Sequence, residues 1–219
     1  MPQASGRTRR TQAERSQATT TELVATAQRL FGEKGYDAIS IEDIAHASGM
    51  TKGAVYHHFP GKRALFRAVF VVQEQQLAER IAAAGAEATD PWEGVRGGAQ
   101  AFLEACADQQ VRQVILLDGP AVLGWDDVRA IEYEHTLNLL HTGIADAADQ
   151  GQIAPGHTMI RAHLIFGALC ELGMLIARAD HPTDVLPVML KQVDQMLAAL
   201  AKTPPSRYLV GRPSPGRSA

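Results

Sequence analysis

The residues best suited to chemistry in this 219-residue chain lie between Ser40 and Lys62. Ser40 precedes Ile41-Glu42-Asp43, an N-cap with acids in the first turn behind it. Ala45 is small where two helices would cross. Gly49 follows four residues later, where a turn needs positive φ. Thr51 caps a second short helix that ends near Phe59, and Ile44, Met50 and Val55 supply apolar contacts between the two. This is the spacing of a helix-turn-helix, whose second helix enters the DNA major groove. Lys52 can donate to guanine O6 or N7, Gly53 leaves room for close approach, and Ala54 can touch a thymine methyl. Tyr56, His57 and Lys62 are placed to bond phosphates, and Ser40 and Thr51 sit at helix N-termini that favour phosphate oxygens.

Other reactive residue types form weaker patterns. Glu132 and His135 make an ExxH pair on one helix face, but a carboxylate-bridged di-metal site needs two such motifs and two further glutamates. Cys106 and Cys170 lie far apart in apolar stretches, without a CxxC, so inert buried thiols are expected rather than a disulfide, zinc site or redox switch. No nucleophile–base pair or Gly-rich phosphate loop stands out. The expectation is a protein that is not an enzyme and needs no metal or cofactor.

The elements that position these residues read as all-α. Alanine, the best helix former, occurs 35 times, and aromatic residues make up 5%. The net charge of −3 conceals a segregated pattern. Residues 1–67 hold ten basic and six acidic residues, a balance of +4. Residues 68–202 hold eight basic and eighteen acidic, or −10, and residues 203–219 carry three Arg and no acid. A basic head suits DNA, and an acidic body is repelled by it. Periodicity and breakers predict nine helices. The first three run over about 17–34, 41–48 and 52–58, and a longer one over about 62–84. A fifth starts at Asp90-Pro91-Trp92-Glu93. The sixth covers Val111 to Leu117, stopping at Asp118-Gly119-Pro120, and the seventh runs from Trp125 to about Gln150. The last two span about 158–179, capped by Thr158, and about 184–201, with Pro187 in its first turn. The expected organisation is a disordered basic arm (1–15), a helix-turn-helix domain (16–61), a helical body (62–202) and a disordered tail (203–219). The arm has no apolar segment of a signal peptide, and the stretch Ile165 to Ala177 is too short to span a bilayer. A cytoplasmic protein with no membrane partner is expected.

Residues from about Thr21 to Phe70 resemble the DNA-binding domain of the TetR family of transcriptional regulators. The resemblance is carried by Leu30-Phe31-Gly32-Glu33-Lys34-Gly35-Tyr36, by Ser40-Ile41-Glu42-Asp43-Ile44-Ala45, by the run from Gly49 to Phe59, and by Lys62, Leu65 and Phe66. It implies an all-α fold with three N-terminal helices for DNA and about six more for ligand binding and dimerisation. It also implies a homodimeric repressor released from a palindromic operator by a small molecule. By motif position, Thr51, Lys52, Gly53, Ala54, Tyr56, His57 and Lys62 would touch DNA.

The same resemblance places a ligand pocket within helices about 91–150 and the start of the helix about 158–179. Trp92, Phe102, Cys106, Trp125, His135, Leu139, His163, Phe166 and Cys170 are the candidate liners, which implies a lipophilic effector. The two last helices would pair with their symmetry mates as a four-helix bundle. The helix of about 62–84 would link pocket to DNA domain. Two alternative classes stand beside this reading. A helical-bundle enzyme would need a nucleophile–base pair, a Gly-rich phosphate loop or a paired metal motif. A DNA-binding regulator governed by a protein partner is distinguished by a core with no room for a ligand.

Overall fold

The computed structural model describes residues 12–201, which form nine helices joined by short turns, with no strand among the described residues. The helix-turn-helix head contains α1 (Gln12–Lys34), α2 (Ile41–Ala47) and α3 (Lys52–His58). Helix α4 (Lys62–Ala86) leads into the body, where α5 (Pro91–Cys106) packs along it. Helix α6 covers 109–123, with a π-helical stretch Arg112–Asp118 in its middle. Helix α7 covers 125–149, with a π-helical turn Tyr133–Leu137. Helices α8 (Thr158–Arg178) and α9 (Pro182–Ala198) close the chain.

Local chemistry sets most helix starts. The Ser40 hydroxyl accepts from the Asp43 N–H at 3.1 Å while the Asp43 carboxylate accepts from the Ser40 N–H, a reciprocal capping box. Asp90 caps α5 by accepting from Glu93 N–H, with Pro91 in the first turn. The head's core is apolar and closely packed. Leu23, Ala27, Phe31, Ile44, Val55 and Phe66 are fully buried, and the Phe31 and Phe66 rings meet edge to face at 5.4 Å.

Several boundaries correct the expectations. Helix α1 starts at Gln12, so residues 12–15 are helical rather than part of the arm; Ala13, Glu14 and Arg15 are good helix formers. Residues 1–11 and 203–219, expected as disordered arm and tail, lie outside the described residues. Helix α6 does not stop at Asp118-Gly119-Pro120. The π register gives Gly119 N–H a bond to the Val114 carbonyl, and the helix continues to Leu123 with Pro120 in its new first turn. The α8 cap is His157, whose ring nitrogen accepts from Ile160 N–H, and not Thr158. Helix α9 begins at Pro182, which puts Pro187 inside it. The carbonyl deprived of a partner there belongs to exposed Thr183, within reach of water. Helix α8 is 21 residues long and, by length and composition, apolar enough to cross a membrane, with a third of its most apolar window buried in the fold.

Candidate DNA-binding face and internal cavity

Helix α3 is held from behind by Val55, which is fully buried, and stops where Phe59 N–H bonds the Val55 carbonyl. The turn before it depends on Gly49 at φ +66, and Met50 N–H closes it onto the Ala45 carbonyl at 2.8 Å. Thr51 Oγ1 accepts from Ala54 N–H at 3.2 Å. These contacts leave Thr51, Lys52, Gly53, Tyr56 and His57 exposed together, with Ala54 half-buried. The Lys52 ammonium is ion-paired with Glu42 of α2 and lies 5.9 Å from the Tyr56 ring centre. The pair raises the affinity of Lys52 for its proton and lowers that of Glu42. Glu42 is a partner the sequence reading missed. Its position two residues after the Ser40 cap is the signal that could have found it. Lys62, at the start of α4, sits 4.0 Å over the Tyr36 ring. Ser40 is half-buried at its cap.

A cavity of about 320 Å³ opens between α4, α5, α7 and α8. Its walls are apolar, with Ile81 and Gly85 from α4, Val95 from α5 and Leu169 from α8. Of the nine candidate liners, Phe102, Leu139 and Phe166 face it. Trp125 and His163 are exposed, which corrects their assignment to an internal pocket. Trp125 opens α7 at the surface with the Arg129 guanidinium 4.5 Å over its ring, and His163 lies on the outward side of α8. Trp92 and Cys106 are buried core residues outside the lining, and half-buried His135 and Cys170 also lie outside it. Burial pushes the Cys106 thiol up to about 12 and raises Cys170 further, so neither is a reactive thiolate. A larger surface hollow of about 630 Å³ between α5 and α9 has a charged rim that includes Glu93, Arg96 and Asp194.

Beside the cavity lie two carboxylates that the sequence reading did not single out for this place. Glu74 of α4 is 1% exposed and Glu132 of α7 is 8% exposed. Thr136, one turn after Glu132, lines the cavity and donates its hydroxyl to Glu74 Oε2 at 3.0 Å. Arg129 Nη1 is 3.2 Å from Glu132 Oε2, but its N–H groups are not aligned, and this buried oxygen accepts no hydrogen bond. Burial, then the neighbouring Glu132, pushes the Glu74 carboxyl up to about 8; burial raises Glu132 to about 6. The signal for Glu74 was present in the sequence: it follows Phe70 by four residues and precedes Leu77 by three, on the buried stripe of α4.

Residues 23–69 match the profile of bacterial regulatory proteins of the tetR family, and residues 92–200 match the tetracyclin repressor-like C-terminal domain. A TetR-family transcriptional regulator from Pectobacterium atrosepticum superimposes with a TM-score of 0.78 at 31% identity, covering 89% of this chain and 100% of the other. The chain belongs to the TetR family.

Its relatives include the Transposon Tn10 TetC protein of Escherichia coli, 25% identical over 71% of this chain and 79% of that protein. The HTH-type transcriptional regulator CymR of Pseudomonas putida is 44% identical over 33% of this chain and 36% of its own length. This TetR-family chain is thus a helix-turn-helix transcriptional regulator. Its DNA-binding head is tied to the body by specific polar contacts. Tyr36 N–H donates to Asp118 Oδ2 at 2.7 Å. Arg63 reaches across from α4 to donate to the Val122 and Leu123 carbonyls and to Asp127. The stretch from Asp118 to Leu123 therefore receives contacts both from the turn after α1 and from the first turn of α4.

Proposed function

We propose that this regulator is a homodimeric repressor of a palindromic operator, released when a small lipophilic effector enters the cavity between α4, α5, α7 and α8. The observation that carries the reading is the course of α4. Its first residue, Lys62, stands beside Tyr36 in the head, while Ile81 and Gly85 near its other end form part of the cavity wall. A ligand there acts on the helix that carries the head. The effector must bind the released form better than the DNA-bound form, since only differential affinity shifts an equilibrium.

Lys52 and Ala54 would read base edges, with Gly53 allowing close approach. Thr51, Tyr56, His57, Lys62 and the Ser40 cap would hold phosphates. The dimer would form through α8 and α9, whose outward faces expose Ile160, Leu164, Leu175, Val188 and Met196. Gly167 lies on the same side of α8 with open space around it, which permits close backbone approach. Such a dimer presents two α3 helices to half-sites one turn apart, about 34–36 Å. Regulators of this kind typically work in the cytoplasm, where the DNA is.

A mobility shift with the chain's own promoter DNA, run with sedimentation, tests this reading. Two chains per operator and a salt-sensitive shift are expected. Leu164→Glu should give monomers that no longer shift the DNA at the same concentration. Tight operator binding by a monomer would overturn the dimer.

A further inference from the structure

Glu74 and Glu132 place two carboxyl groups in the buried contact between α4 and α7, where Glu74 accepts from Thr136 of α7. Resting on the reading that the cavity holds the effector, we infer that this effector is a lipophilic organic cation, an amine on an apolar body, whose ammonium group docks at the Thr136 end of the cavity beside Glu74 and Glu132.

The cavity wall selects against anions. Among the side chains lining it there is no Lys, Arg or His, and the one ionisable side chain is Asp146, exposed at the rim. The apolar body would lie against Phe102 and Phe166, whose ring centres are 6.4 Å apart. Thr136 belongs to two environments at once. It lines the cavity, and its hydroxyl donates to Glu74. A hydroxyl that donates to a carboxylate still has lone pairs to accept an N–H, and an ammonium brings three donors and no acceptor. Thr136 also lies in the π-helical turn of α7, a feature frequent at functional sites.

The charge balance points the same way. Arg129 supplies one positive charge against two carboxylates, and it sits on the Glu132 side, 5.5 Å from the Phe166 ring centre. Glu132 Oε2 is buried without a hydrogen bond, and a buried unpaired acceptor is costly. Near neutral pH the proton on Glu74 and the Arg129 guanidinium beside Glu132 leave the cluster without net charge. An ammonium at Thr136 takes over the compensation of that proton and lets both acids ionise, whereas a neutral ligand or an anion supplies no positive charge to do so.

Binding is therefore linked to a proton. Glu74 is faced by Cys106 of α5, Glu132 and Thr136 of α7 and Cys170 of α8, with Arg129 behind Glu132 and Arg80 near Cys106. Near neutral pH Glu74 holds a proton, because burial and Glu132 oppose its ionisation. The incoming cation favours the ionised form, and that proton passes to solvent.

Isothermal titration of the full chain with phenylbutylamine, phenylbutanol and phenylbutyrate compares cation, neutral molecule and anion on one apolar body, with phenylethylamine and phenylhexylamine bracketing the length. The amine is expected to bind at least about tenfold tighter than the alcohol, one unit of pKa-scale discrimination, and the acid weakest. Amine affinity should rise between about pH 6 and about pH 8, with a proton released on binding. Glu74→Gln and Glu132→Gln should each narrow the amine–alcohol gap by weakening the amine more than the alcohol. Equal binding of amine and alcohol, preference for the acid, no binding of any amine, or a gap unaffected by both substitutions would overturn the inference. Operator release is measured on the same ligands. Amine binding with the expected selectivity but no release would sink the effector reading and leave the cation site standing. Release by alcohol or acid without amine preference would do the reverse.

Discussion

The backbone N–H of Tyr36, in the turn between α1 and α2, donates to Asp118 Oδ2 at 2.7 Å, so one hydrogen bond spans from the DNA-binding head to the π-helical stretch of α6. Asp118→Ala leaves the half-buried Tyr36 N–H without its acceptor. It should lower stability by about 1–3 kcal/mol, the range for leaving a buried donor unsatisfied. Asp118→Asn keeps an acceptor and should recover most of the loss. Thermal denaturation of both variants checks this.

Gly119, next to Asp118, is a packing requirement. A Cβ there would lie 2.4 Å from Phe70 Cε2, and Phe70 is fully buried in the core between head and body. Gly119→Ala should therefore cost about 1–3 kcal/mol through overpacking, although alanine is the better helix former. Denaturant unfolding would show the lowered midpoint.

The buried acids set a pH dependence. The Glu74 carboxyl goes from an ordinary 4.5 to about 8 on folding, and Glu132 from 4.5 to about 6. Between those values the folded chain holds more protons than the unfolded one, so stability is greatest below about pH 4.5 as far as this pair is concerned, and falls as pH rises towards 8. The slope is at most about 1.4 kcal/mol per pH unit for each group. Glu74→Gln should flatten the fall across the whole window, and Glu132→Gln should remove its lower part and also end the Glu74 contribution at a lower pH, because the Glu132 charge helps to raise Glu74. Melting curves from pH 5 to pH 8.5 test the assignment, and a wild-type chain that gains stability over that range would contradict it.

The Lys52–Glu42 ion pair is exposed, with both side chains more than half accessible, so it breaks at little cost when DNA offers a better partner. Glu42→Gln removes a negative charge beside α3 and should tighten DNA binding by roughly two- to tenfold at low salt, less at high salt. Fluorescence anisotropy at two salt concentrations measures both effects.

The helix-turn-helix was legible in the sequence because its determinants are local. The Ser40 and Thr51 caps, the small Ala45 and the positive-φ Gly49 each act within a few residues. The cavity was much less legible, because membership depends on four helices from distant parts of the chain. Phe102, Leu139 and Phe166 point inward, while Trp125 and His163, equally plausible by residue type, point outward. The continuation of α6 past Gly119-Pro120 was hidden for a different reason. Both residues are strong breakers, and a π register that moves one hydrogen bond by a residue carries the helix through them.

The central claim is that α3 reads DNA, and the most direct test is an anisotropy titration of the wild type, Lys52→Ala and Lys62→Ala on promoter DNA and single-base variants. The account predicts a salt-sensitive wild-type preference for promoter over scrambled DNA. Lys52→Ala should lose about 1–3 kcal/mol of discrimination at one position per half-site. Lys62→Ala should weaken all sequences alike and reduce the salt slope by about one per chain. Wild-type binding that is the same on promoter and scrambled DNA, or base preferences untouched by Lys52→Ala, would contradict it.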